Sequence, residues 1–177
     1  NPFTPSTSIR FAVPAAAVPD AVIASARAGC RAAVVLTAGF KEVGGDGVER
    51  EKELARLARE HDISVLGPNC LGVMNTALDV QLNASFASAA PQPGKIAFMS
   101  QSGALCTSIL DYAREQRIGF SKFISFGNKA DINENDLLRY LADDPQTQVI
   151  LMYLEDLSDG PGFMHIAREI TEKSGKP

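Results

Sequence analysis

The chain has 177 residues, of which 45% are hydrophobic and 21% charged, with a formal net charge of −4. This is ordinary globular composition, sufficient for one large or two small domains with a real core. The acidic balance gives no electrostatic footing for nucleic acid or an anionic membrane surface. No apolar run approaches the roughly 18 residues of a membrane span. The three cysteines, Cys30, Cys70 and Cys106, lie far apart. They argue against a disulfide framework or a metal site and for a reducing, cytoplasmic setting.

Residues 1–8 are rich in Pro, Ser and Thr and read as a frayed lead-in. Phe11–Val13 reads as a strand ending at Pro14, and Pro19 with Asp20 opens a helix that Gly29 closes. Ala32–Leu36 is a continuous apolar run of the kind buried on both faces of a parallel sheet. A glycine-rich turn leads to a charged helix over about 48–61 with the stripe Leu54, Leu57, Ala58. Ile63–Leu66 is the next strand. Strand–helix alternation of this kind implies parallel pairing with right-handed crossovers. Residues 76–93 break the pattern and are expected to hold the boundary between two units. A second alternating set follows: strand 95–99, helix 103–117, strand 123–126, helix 133–142, strand 149–154 and helix 163–171. Both sheets look incomplete, so a fragment of a larger protein is expected. Its exposed sheet edges predict an oligomer.

In such sheets ligands bind beyond the carboxyl ends of the strands. The most informative of these ends is GKIAFMSQSG, residues 94–103, where a strand turns at once into a helix. The first N–H groups of that helix are unpaired and backed by its dipole, which makes an anion site, and small residues let a phosphate approach. The plain alternative is that a serine there is only an N-cap. Other strand ends carry Pro14, Thr37–Phe40, Gly67–Cys70, Gly127-Asn128 and Glu155-Asp156. Glu155 is a carboxylate ending an apolar strand; its alternative is a solvated acid. Cys70 has no histidine near it in sequence and reads more readily as a small buried hydrophobe. His61 and His165 lack orienting partners and read as surface or packing residues. The Rossmann glycine fingerprint is absent, and FMSQSGA lacks the first glycine of a nucleophile elbow.

The series VPAAAVPDAV, TAGFKE, GPNCLGVMN, GKIAFMSQSGAL, GFSKFISFGNKADIN, DLLRYLADDP and MYLEDLSDG runs through nearly the whole chain from about Phe11. In order and spacing it resembles the NDP-forming acyl-CoA synthetases, relatives of the alpha subunit of succinyl-CoA synthetase. The resemblance implies an α/β fold of two consecutive parallel-sheet domains. These are a partial Rossmann-like CoA-binding domain over 1–90 and a flavodoxin-like, succinyl-CoA-synthetase-type domain over 91–177. It also implies a reaction in which acyl-CoA, phosphate and ADP interconvert with acid, CoA and ATP through an acyl phosphate and a phosphohistidine. Ser100, Gln101, Ser102 and Gly103 would hold the phosphate, and Glu155 would orient the phosphorylated histidine. Pro14, Gly39, Pro68, Asn69 and Cys70 would line the CoA site, with Gly127 and Asn128 facing the same centre. The implied partners are CoA or acyl-CoA, phosphate, and an ATP-grasp domain or subunit that handles ATP/ADP and Mg. The family's phosphorylated histidine matches neither His61 nor His165 and belongs to a loop beyond residue 177, so this chain alone is expected to be inactive. Some relatives instead serve as the CoA-sensing half of protein lysine acetyltransferases.

Overall fold

The computed structural model describes residues 13–177. Of the expected first strand, Phe11 and Ala12 lie outside the described residues, and Val13 is not in a strand. A 3-10 turn, Ala15–Ala17, leads directly into helix α1, Val18–Arg27, with Pro19 in its first turn. Strand β1, Ala32–Val34, pairs in parallel with β2, Ser64–Leu66, and helix α2, Asp46–Glu60, crosses between them. Val18 and Val22 of α1 and Leu54 and Ala58 of α2 pack with Val35, Phe40, Ile63 and Val65 in one buried cluster.

The second sheet has five strands in the order β4-β3-β6-β5-β7. Its centre is the expected parallel set: β5, Gln92–Ser100; β6, Gly119–Ser125; β7, Val149–Tyr153. Helix α3, Gly103–Gln116, connects β5 to β6, and α4, Glu134–Asp143, connects β6 to β7. Helix α5, Gly160–Glu169, follows β7. Asn133 caps α4 in a reciprocal capping box with Asp136, which satisfies two otherwise unpaired N–H groups.

Two strands have no counterpart in the expected pattern. β3, Gly72–Asn75, and β4, Leu82–Ser85, form an antiparallel hairpin, and β3 pairs antiparallel with β6. The parallel core is thereby extended into a mixed sheet. The division expected between residues 90 and 91 does not coincide with a break in pairing, because 72–85 join the second sheet. Each of these strands is only four residues long. β3 uses the backbone groups on the flank of β6, β4 pairs in turn with β3, and Gly72 (φ +112) lets the chain pass close to Ala84.

The two halves share a core. Leu66 of β2 is buried together with Ala97, Met99, Ile124, Phe126, Leu138 and Leu141 of the second half. On the opposite sheet face, Phe98, Phe120 and Phe123 pack in tilted and edge-to-face pairs with centroids 5.1–6.4 Å apart. Burying these layers fixes the sheets beneath the loops that follow their strand ends.

Candidate functional site

The carboxyl ends of β1, β2, β5, β6 and β7 open onto one cavity of about 820 Å³. Its walls include Asn69 and Cys70 from the β2 loop, Gln101, Ser102 and Gly103 at the start of α3, Gly127 and Asn128 after β6, and Glu155 after β7. Eight of the expected site residues therefore meet there, contributed by both halves of the chain.

Ser102 is the N-cap of α3 and accepts a hydrogen bond from Leu105 N–H at 3.3 Å. Ser102, Gly103 and Ala104 line the cavity, so the first turn of α3, with its unpaired N–H groups and positive dipole end, borders it. Ser100 lies beneath this turn and is fully buried. Its hydroxyl accepts from Ser102 N–H at 3.0 Å and donates to Ser102 O at 3.1 Å, bracing the loop rather than facing the cavity. Gln101 uses its side-chain amide to hold the β7 loop. Its Oε1 accepts from the N–H of Glu155 at 2.6 Å and of Asp156 at 3.2 Å, and its Nε2 donates to Asp156 Oδ1 at 2.7 Å. Glu155 itself is exposed at the cavity edge.

On the other wall, Pro68 O accepts from Asn128 N–H at 2.9 Å, and Gly67 O accepts from Ala130 N–H at 2.9 Å. Gly127 makes this contact possible. Its φ is +52, and a Cβ there would overlap the carbonyl oxygens of Pro68 and Asn69. Asn128 is 7% exposed, and all its side-chain bonds reach into the first half. It donates to Glu42 Oε2 at 2.6 Å and Glu51 Oε2 at 2.8 Å, and accepts from Asn69 Nδ2 at 3.2 Å. Burial raises the Glu42 pKa, but donors from Asn128 and from Gly39 and Phe40 N–H outweigh it and hold the carboxyl below its ordinary range. Lys41 Nζ donates to Asn128 O at 2.6 Å and lies 3.4 Å from Glu51.

Cys70 is buried, its Sγ donates to Val35 O at 3.4 Å, and burial pushes its thiol up to about 12. It packs as a small hydrophobe and carries no thiolate near neutrality. Pro14 and Gly39 sit outside the cavity wall. Gly39 (φ +103) packs against Ala15, the residue after Pro14. His61 caps the end of α2 and His165 is exposed on α5; neither lines the cavity. Among the described residues no group of three or more His, Cys, Asp or Glu is placed to hold a metal ion. No described helix is long and apolar enough to cross a membrane.

Lys41, Glu42, Glu51, Lys129 and Glu134 build these walls and escaped the reading from sequence. For Lys41, Glu42 and Lys129 the visible signal was charge inside short loops between apolar strands, in TAGFKE and GNKAD; Glu51 and Glu134 lie in helices α2 and α4, where an acid carries no such mark.

Comparison with known proteins names the class first. A family model described as "CoA binding domain" matches residues 2–76, and one described as "Succinyl-CoA ligase like flavodoxin domain" matches residues 93–177. The chain is 45% identical over 161 residues to an ADP-forming acetate–CoA ligase of Archaeoglobus fulgidus, covering 91% of this chain and 23% of that protein. It is 46% identical over 144 residues to an ADP-forming 4-hydroxybutyrate–CoA ligase of Nitrosopumilus maritimus, covering 81% of this chain and 21% of that protein. A solved dinucleotide forming acetyl-coenzyme A synthetase 1 from Ca. Korarchaeum cryptofilum, in complex with phosphate and ADP, superposes with a TM-score of 0.85. It is 39% identical and covers 91% of this chain and 34% of that one. The chain thus joins a CoA-binding domain to a succinyl-CoA ligase-like domain, and it corresponds to about a quarter of the length of the curated relatives cited.

Proposed function

We propose that this chain is the part of an NDP-forming acyl-CoA synthetase that holds the CoA thioester and phosphate, with a phosphorylated histidine and an ATP-grasp domain or subunit supplied from elsewhere. The observation that supports this most is the convergence of five parallel strand ends from both halves on one cavity, with a helix N-terminus on one side and Glu155 on another. In this reading a phosphate oxygen attacks the thioester carbonyl, the C–S bond breaks, and the CoA thiolate takes a proton. The acyl phosphate then passes its phosphoryl group to a histidine nitrogen as its P–O bond breaks and the carboxylate leaves. ADP, held with Mg by the ATP-grasp part, takes the phosphoryl group as the P–N bond breaks. The N–H groups at the start of α3 and the Ser102 hydroxyl hold the phosphate, and Glu155 orients the histidine. The β2 loop, with Pro68, Asn69 and Cys70, borders the thioester end. The three free cysteines suit a reducing cytoplasm.

The test is Ser102→Asp in the full-length protein. A carboxylate in the anion site is expected to abolish labelled phosphoprotein formation, since losing one charge-assisted contact alone costs about 1.5–3 kcal/mol. Undiminished phosphorylation in that variant would overturn the assignment. Full-length protein that binds CoA, never phosphorylates and carries an acetyltransferase domain would instead point to a CoA-sensing regulatory module.

A further inference from the structure

We infer that Lys129 is a positioning residue for Glu155, acting through Asp156 and Glu134; this rests on the reading of Glu155 given above. The Lys129 side chain is 3% exposed, and its ammonium makes two hydrogen bonds and a further ion-pair contact. They go to Glu134 Oε2 at 2.9 Å, Asp156 O at 2.9 Å and Asp156 Oδ1 at 2.8 Å. Glu134, fully buried, reaches the same loop from the other side: its Oε1 accepts from Ser158 N–H at 2.5 Å. Gln101 closes the third side through the Glu155 and Asp156 N–H groups. The segment held in this way, 155–159, is exposed throughout and has no buried apolar anchor, so polar bonds set its position. Among the described residues, apart from their bond to each other, every side-chain bond of Lys129 and Glu134 goes to residues 156–158.

A buried ion pair adds little net stability compared with apolar packing. Here it is placed where orientation is what it can supply. The neighbouring Asn128 ties the loop after β6, which carries Lys129, to the first half. The position of Glu155 is therefore referenced to the wall that borders the thioester.

The test uses the full-length protein, with acyl-CoA and phosphate as substrates and labelled phosphoprotein as the readout. Lys129→Met is expected to lower kcat roughly 100-fold, as a misplacement of about 1 Å does, with the KM for CoA unchanged. Combined with Glu155→Gln it should add nothing to the loss caused by Glu155→Gln alone. Asp156→Ala, at a side chain 63% exposed, leaves the buried pair intact and guards against a folding defect. It should cost about tenfold, again only when Glu155 is present. Amide exchange at residues 155–158 should quicken in both variants, and in Asp156→Ala that of α4 should stay protected. Losses that multiply with Glu155→Gln, a KM for CoA that rises as kcat falls, or unchanged exchange at 155–158 would each overturn the inference. If Glu155→Gln alone keeps full phosphorylation, the reading of Glu155 has failed instead.

Discussion

Two consecutive buried residues, Asn128 and Lys129, hold the two walls of the cavity by opposite chemistry. Asn128 is an amide that bonds carboxylates of the first half, and each of those carboxylates has other donors. Glu42 also accepts from Gly39 and Phe40 N–H, and Glu51 from Lys41 N–H at 3.2 Å. Lys129 is a cation that bonds the second half, and among the described residues it is the one charge paired with the fully buried Glu134. The first wall shares its load among bonds to two carboxylates with several donors each, whereas the second, besides the Gln101 bonds, turns on a single buried ammonium. The consequence is unequal tolerance to change on the two sides of one site.

The largest difference should appear in Lys129→Met. An uncompensated Glu134 carboxylate in the interior should cost about 3–5 kcal/mol in denaturant unfolding. A loss below 1 kcal/mol would show that the second wall is as redundant as the first. Asn128→Ala should cost less, about 1–2 kcal/mol. In the full-length protein it should raise the KM for CoA more than it lowers kcat, the reverse of the split expected for Lys129. Equal splits would erase the contrast.

The smallest effect concerns pH. Bonds from Lys129 and Gln101 hold the Asp156 carboxyl below its ordinary 3.8. For Glu134, burial raises the pKa, but Lys129 and Ser158 N–H outweigh it and bring the carboxyl below 4.5. Carboxylates depressed in the folded state stabilise it fully above their unfolded pKa, and that contribution fades as pH falls through the folded value. Thermal unfolding should therefore show a loss of Tm only below about pH 4.5. That loss should be smaller in Asp156→Ala than in the unmodified chain.

Much of this was readable in advance because it depends on local periodicity. The apolar run Ile96–Met99 marks a buried strand, and the small residues of Ser100–Gly103 mark a helix start close to a strand end; Ala32–Leu36 marks a strand too, but not one buried on both faces, since Ala32 and Leu36 are exposed and only Val35 is buried. Glycines 67, 127 and 39 stood at strand ends, where positive φ and close approach were needed. The hairpin of β3 and β4 was hidden because its strands are only four residues long and it joins the sheet solely through the pairing of β3 with β6. Ser100 and Gln101 were read as ligand contacts, since a hydroxyl or amide at a helix start carries no mark of the internal bond that occupies it. Lys129 was hidden for a related reason. A lysine in a loop reads as solvated until Glu134 and Asp156, 5 and 27 residues on, are seen to close around it.

The most direct measurement is a calorimetric titration of CoA into this chain, followed by phosphate. One saturable CoA site is predicted, with a separate phosphate response that Ser102→Asp removes while CoA binding persists. Silence toward both ligands, or a phosphate response untouched by Ser102→Asp, would contradict a cavity shared between thioester and phosphate.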